Sequence, residues 1–242
     1  MVECGRHLNV ELLTLSEIVD VAGEAGDFTV TVKKRPRYID MDKCIACGIC
    51  AEKCPKKVDD EYNAGISKRK AAYIKYGQTV PLKYVIDPDN CIYLKKGKCR
   101  ACEKFCPTGA INFDDKEELV KINVGSVILS PGYTPFDPSN LDFYGYGKYP
   151  DVVTSLEYER LLSAGGPCMG HLVRPSDGRE PRKIAWIQCV GSRNTNRTEN
   201  GFCSSVCCMY AMKQTRITIE HMVGKKQDLA LFYMDIRSHG KE

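Results

Sequence analysis

The sequence predicts a mixed α/β protein in which a compact cysteine-rich module interrupts a β-sheet. Three observations carry this expectation. Apolar, strand-like patterns lie on both sides of residues 38–113; twelve of the fourteen cysteines fall into two tight groups, Cys44 to Cys106 and Cys189 to Cys208; and the last third alternates strand-like with helix-like segments.

The opening segment reads as a β-meander: Val10 to Leu13, then Glu17 to Val21, a Gly-Glu-Ala-Gly-Asp turn, and Phe28 to Lys33 with Phe28, Val30 and Val32 on one face. From Tyr38 to about Phe113 the cysteines take over. An apolar, β-branched pattern resumes over Leu119 to Leu129 and ends at Ser130-Pro131-Gly132, so the block between looks inserted into a sheet. Farther on, Thr154-Ser155-Leu156-Glu157 has capping-box form and predicts a helix to about Ala164, stopped by Gly165-Gly166-Pro167. Lys183 to Val190 then reads as a buried strand, Cys203 to Gln214 as a helix and Leu229 to Ile236 as a strand. The expected division is therefore 1–37, 38–113 and 114–242.

With 242 residues, 43% of them hydrophobic, the chain can bury one large or two modest cores. Its start, MVECGRHLNV, lacks the basic and apolar regions of a signal peptide, and no run approaches the ~18 apolar residues of a membrane span. A cytoplasmic location follows as an expectation, and a reducing compartment favours metal ligands over disulfides. The formal charge of +4 is no argument for nucleic acid, because metal centres held by the grouped thiolates would bring negative charge of their own. Lys68-Arg69-Lys70 and Lys95-Lys96 are read as solvated faces or as steering groups for an acidic redox partner.

The chemistry lies in an internal repeat, CIACGICAEKCP at 44–55 echoed by CRACEKFCP at 99–107. Cys44-x₂-Cys47-x₂-Cys50-x₃-Cys54-Pro55 has the spacing with which three thiolates wrap one cubane while the fourth serves the neighbouring cluster. This logic predicts one [4Fe–4S] centre on Cys44, Cys47, Cys50 and Cys106, and another on Cys54, Cys91, Cys99 and Cys102. Zinc is the competing reading, but a tetrahedral site uses two separated pairs and gains nothing from a third close cysteine. Cys91 departs from the pattern, standing eight residues before Cys99. Small residues such as Ala46, Gly48, Ala101 and Gly109 would let the backbone approach the cluster sulfurs.

Cys189, Cys203, Cys207 and Cys208 form the second group. Read as a helix from Cys203, the chain would put Cys203 and Cys207 on one helical face, with Cys189 as a further corner. Spacing alone leaves a third cluster, buried structural cysteines and a redox-active thiol pair all open. No Ser/His/Asp set is present, and His7, His171, His221 and His239 are scattered.

Taken together, the two cysteine motifs, VGSVILSPGYTPFDP at 124–138, WIQCVGSRN at 186–194 and CSSVCCMYAMK at 203–213 resemble the iron–sulfur flavoprotein component of heterodisulfide reductase, the HdrA family. The resemblance implies part of an FAD-binding, thioredoxin-reductase-like domain carrying an inserted two-[4Fe–4S] ferredoxin-like domain. It also makes Cys189, Cys203, Cys207 and Cys208 ligands of a third [4Fe–4S] cluster. Ser130-Pro131-Gly132, after an apolar strand from Val127 to Leu129, looks like the family's second FAD-contacting motif; without the family it is a strand-ending turn. The family's glycine fingerprint, Gly-x-Gly-x-x-Gly, does not occur in this chain. FAD binding is therefore expected only with a complementing chain, the sequence being one piece of a split subunit or a truncated product. Gln188-Cys189-Val190-Gly191-Ser192 stands where a nucleotide fingerprint would lie and argues against direct NAD(P)H binding. The implied role is electron relay or bifurcation in methanogenesis among ferredoxin, a hydrogenase or formate dehydrogenase, and disulfide-reducing subunits. A flavin-free carrier or scaffold protein, or a component of a quinone-linked sulfur-metabolising complex, are the alternatives.

Overall fold

The computed structural model describes residues 2–198 and 200–239. The chain divides into two compact units, 1–131 and 132–242, and each is built around its own sheet.

In the first unit a short helix α1 (Val2–Arg6) precedes strands β1 (Ser16–Glu24) and β2 (Asp27–Lys34), which pair antiparallel with Val21 opposite Val30 and Ile18 opposite Val32. The chain then leaves the sheet for the cysteine-rich module and returns as a third strand, Glu118–Val124, antiparallel to β2. That register sets Val30 opposite Ile122 and Val32 opposite Val120. Val30 and Val32 are buried, as the period-two pattern requires. The module is thus an insertion between neighbouring strands of one sheet.

Two expectations for this region fail. Val10 to Leu13 forms no strand, and Val10 and Leu12 are exposed. The returning strand stops at Val124, so Val127 to Leu129 is irregular and Ile128 and Leu129 are 88% and 81% exposed. Both stretches have strand-like composition but no neighbour to complete a ladder of backbone hydrogen bonds.

Inside the module come helix α2 (Ile49–Lys53), hairpin strands β3 (Lys57–Asp59) and β4 (Lys68–Lys70), the paired strands β5 (Ala72–Tyr73) and β6 (Val85–Ile86), and helices α3 (Ile92–Lys96) and α4 (Ala101–Lys104). The returning strand is β7. The core here consists of Ile39, Cys44, Cys50, Ala72, Ile86, Cys91 and Ala110. At the neck, Asp115 accepts hydrogen bonds from the amides of Arg37 and Tyr38 at 2.8 and 3.0 Å, and Ile39 bridges to Ile111. Entry and exit are thereby clamped together.

In the second unit two 3₁₀ turns, Pro138–Asn140 and Asp142–Tyr144, precede α5 (Ser155–Leu162), whose Thr154 and Glu157 form the expected capping box. A Cβ at Gly166 would sit 1.8 Å from the Arg160 carbonyl oxygen, so only glycine lets the chain fold back over the helix end. Strand β8 (Lys183–Ile187), helix α6 (Cys207–His221) and strand β9 (Asp228–Phe232) make a parallel strand–helix–strand unit, with Ile187 opposite Phe232. The helices are pinned by polar contacts: Tyr158 and Thr218 hydroxyls lie 2.7 Å apart, and Trp186 donates from its indole to Gln214 at 3.2 Å. Residues 188–190, expected to extend β8, lie beyond it, and β9 ends short of Ile236.

Candidate metal centres

The two halves of the repeat build two separate cavities. The first is lined by Cys44, Cys47, Cys50 and Cys106 together with Ile39, Tyr84 and Ala110. The second is lined by Cys54, Cys91, Cys99 and Cys102 together with Ala72, Ile86 and Tyr93. The last cysteine of each motif therefore stands at the other motif's cavity.

Local backbone explains the aim of these thiols. Gly48, at the start of α2, has φ of 83°, and a Cβ there would lie 3.0 Å from the Tyr84 hydroxyl. Ala46 and Cys99 hold positive φ of 58° and 85°, a conformation that costs a residue with a Cβ about 1–2 kcal/mol and persists where the surroundings impose it. Cys91 is placed by α3: it caps that helix, and the turn Ile92–Lys96 with Gly97 in the left-handed conformation takes up the long spacing to Cys99. Its amide donates to the Asp87 carbonyl at 2.9 Å.

Around the thiols the environment is apolar, with donors at selected points. Burial pushes the Cys50 thiol up to about 12 and the Cys102 thiol up to about 11, and the neighbouring cysteines add to both. At Cys106 burial acts in the same direction, but the amides of Ala110, Thr108 and Gly109 more than offset it and hold the thiol below its ordinary value. The Ala110 amide lies 3.3 Å from its sulfur. Amide donors at a thiolate are the contacts a cluster sulfur uses.

A group of this kind must fit four thiols around an open volume. A zinc ion with Zn–S of about 2.3 Å would draw its four sulfurs to about 3.8 Å of one another. Four thiols in an apolar lining, with an amide donor at Cys106, are the donor set that a [4Fe–4S] cubane uses.

The second cysteine group is only partly assembled from its expected element. Helix α6 begins at Cys207, so Cys203 lies in the preceding loop and does not share a helical face with Cys207. Ser205 has a φ of 58°, and its amide donates to the Cys203 sulfur at 3.4 Å. The cap residue Val206 offers no side-chain acceptor, and the helix starts four residues later than the expected Cys203. Cys189, just past β8, has a φ of 61°; burial raises its thiol, the nearby Cys207 and Cys208 add to this, and Arg193 opposes it. Cys208 is buried, and its sulfur accepts from the Arg237 amide at 3.4 Å. Cys189, Cys207 and Cys208 are thus gathered between the end of β8 and the start of α6.

Ser130, Pro131 and Gly132 are exposed and follow no strand, Gly132 having a φ of 74°. All fourteen cysteines are free thiols, and the four histidines are exposed. Sequence reasoning missed the polar groups that brace the cavities. Lys83 donates to the Cys44 carbonyl at 2.6 Å, Lys70 to that of Cys54 at 2.5 Å, and Arg69 pairs with Asp87 at 3.0 Å. No local pattern marks such contacts, since they join residues 16 to 39 positions apart.

Residues 37–58 match the 4Fe-4S binding domain. Over an alignment of 241 residues that covers 100% of the chain, it is 44% identical to the iron-sulfur component HdrA of the CoB–CoM heterodisulfide reductase of Methanocaldococcus jannaschii, and 46% identical to the second such protein of Methanopyrus kandleri. The chain is a homologue of HdrA, the iron–sulfur component of heterodisulfide reductase. Identity to the corresponding component of the H(2):CoB-CoM heterodisulfide,ferredoxin reductase of Methanothermobacter thermautotrophicus is 42% over the same span. The chain spans about a third of the length of these relatives, 36%, 36% and 35% respectively. The domain match and the cysteine content together support [4Fe–4S] clusters as its cofactors. Among the described residues, no helix is long and apolar enough to cross a membrane.

Proposed function

We propose that the chain is an iron–sulfur electron-transfer part of a heterodisulfide-reductase-type oxidoreductase. Cys44, Cys47, Cys50 and Cys106 hold one [4Fe–4S] cluster, and Cys54, Cys91, Cys99 and Cys102 hold a second. Cys189, Cys203, Cys207 and Cys208 hold a third. The observation that carries this reading is the exchange of Cys54 and Cys106 between the two cavities.

Each bound cluster would supply one-electron chemistry at nearly constant geometry. The chain's part is to hold the thiolates, to keep water off them with Ile39, Ala72, Ile86 and Ala110, and to direct amides at the sulfurs. The swapped cysteines bring the two cavities close, which favours rapid transfer between them.

In this reading residues 1–37 and 114–242 are parts of a flavoprotein-like α/β domain, and residues 38–113 are its insert. FAD would bind at Ser130, Pro131 and Gly132 once a segment bearing the glycine fingerprint is supplied, in the cytoplasm and with ferredoxin, hydrogenase or formate dehydrogenase, and disulfide-reducing subunits as partners. Bifurcation would belong to that assembly. The exposure of Ser130 to Gly132, with no strand before them, favours a second reading, an electron carrier that never holds flavin.

Iron and acid-labile sulfide after oxygen-free purification test the proposal. About twelve irons per chain are expected for three clusters and about eight for the insert alone. Stoichiometric zinc, or a folded iron-free chain, would overturn it.

A further inference from the structure

The two cavities are related by the internal repeat, yet their exposed corners differ in charge. At the first, the exposed thiol is Cys47, and the loop that carries it bears Asp40, Asp42 and Lys43, with Lys43 paired to Asp40 at 3.4 Å. Ile45, beside that thiol, is 65% exposed. At the second, the exposed thiol is Cys99, and the segment around it bears Lys95, Lys96, Lys98, Arg100 and Lys104, all exposed. The carboxylates facing these cations are Glu103, which accepts from Arg100 at 2.6 Å, and Asp114. Lys95, Lys96 and Lys98 form no ion pair with any described residue.

Local contacts account for part of this collar: Lys95 and Lys96 end α3, where cations suit the helix dipole, Arg100 lies over the Tyr93 ring at 5.0 Å and Lys104 over the Phe105 ring at 5.9 Å, but none of these contacts gives Lys95, Lys96 or Lys98 a counter-ion. Unpaired cations crowded around one thiol repel each other and raise the cost of the free surface, whereas an approaching negative surface relieves that repulsion. The rim at Cys47, with Asp40, Asp42 and a single paired lysine, carries no such excess of positive charge.

From this asymmetry we infer that the Cys99 corner of the second cavity is the docking face for an acidic one-electron carrier protein. The inference rests on the reading that the second cavity holds a cluster. In the exchange the carrier gives up one electron and is oxidised, and the chain takes up one electron at the second cavity; the reverse direction uses the same face. The first cavity then communicates through the second or with other parts of the protein. Electrostatic steering of this kind raises encounter rates by about 10- to 1000-fold and weakens with salt.

The test uses the full chain with its clusters in place and a prereduced plant-type [2Fe–2S] ferredoxin as the acidic probe, mixed in a stopped-flow instrument. The rate constant should fall steeply as KCl rises from about 0.05 to about 0.5 M. Lys95→Glu/Lys96→Glu/Lys98→Glu should cut it at least tenfold at low salt and flatten the salt dependence, while Lys43→Glu at the other rim changes it less than twofold. Reduction by methyl viologen radical, a small cation, should not slow in the triple variant. Equal rates and salt slopes for the triple variant and the parent overturn the inference, as does an equal loss from Lys43→Glu. A parent chain without iron would instead bring down the cluster reading beneath it.

Discussion

Lys83 donates from its ammonium to the backbone carbonyl of Cys44 at 2.6 Å, and Lys70 makes the matching bond to Cys54 at 2.5 Å. Each cavity therefore has a lysine fixed on the main chain of one of its cysteines. A fixed positive charge favours the more negative, reduced state of a nearby cluster, so it raises the reduction potential. Lys83→Met should lower the potential of the cluster at the first cavity and leave that of the second nearly unchanged. Lys70→Met should do the opposite. Redox titration followed by electron paramagnetic resonance reads both, and coincident potentials in parent and variants would show that the lysines only brace the loops.

Cys54 and Cys106 make the exchange testable by additivity. Cys54→Ser should remove about four irons, as should Cys99→Ser, and the double variant should lose no more than either alone because both thiols serve one cluster. Cys54→Ser combined with Cys47→Ser should lose about eight. If instead Cys54 and Cys47 behave as one unit, each motif closes on itself and the cavities assign the ligands wrongly.

How far the sequence predicted this arrangement depends on whether the signal was local. The alternation that buries Val30 and Val32 and the capping box of Thr154 and Glu157 are short-range patterns, and both appear as expected. Which cysteines line each cavity was also legible, because the repeat and the proline after each last cysteine encode a direction of exit. Apolar content misled where no partner strand exists, at Val10 to Leu13 and Val127 to Leu129. The start of α6 was expected at Cys203, but the chain turns through Ser205 in the left-handed region and begins the helix at Cys207. Bracing contacts such as Arg69 with Asp87 depend on strands meeting across the module and leave no pattern in either segment.

That ion pair has a measurable consequence. The Arg69 and Asp87 side chains are 9% and 10% exposed, and Asp87 also accepts from the Asn90 side chain at 2.9 Å and the Asp89 amide at 3.0 Å. Burial raises the Asp87 carboxyl, but Asn90 and Arg69 together hold it below its ordinary value. A carboxyl lowered on folding contributes stability at pH above its unfolded value, about 3.9, and loses it as pH falls through the folded one. Asp87→Ala should destabilise the module by about 3 kcal/mol at neutral pH, since Arg69 is left buried beside Tyr73 with only Glu61 as its counter-ion. Chemical unfolding curves should show this gap narrowing below about pH 4; a gap independent of pH would assign the loss to packing.

Cys208 decides whether the second cysteine group binds a cluster. It is buried at the start of α6, next to Cys207, and its sulfur receives the Arg237 amide, as a cluster thiolate would. A buried structural thiol would show the same burial, so geometry alone does not separate the two. Serine keeps the size and polarity but binds iron poorly, and Cys208→Ser should lower the iron content by about four per chain while the signals of the two insert clusters persist. An unchanged iron content would make Cys189, Cys207 and Cys208 a set of packed or redox-active thiols. Alkylation would then tell these apart, because only a thiol pair poised for oxidation would react quickly when reduced and lose that reactivity once oxidised.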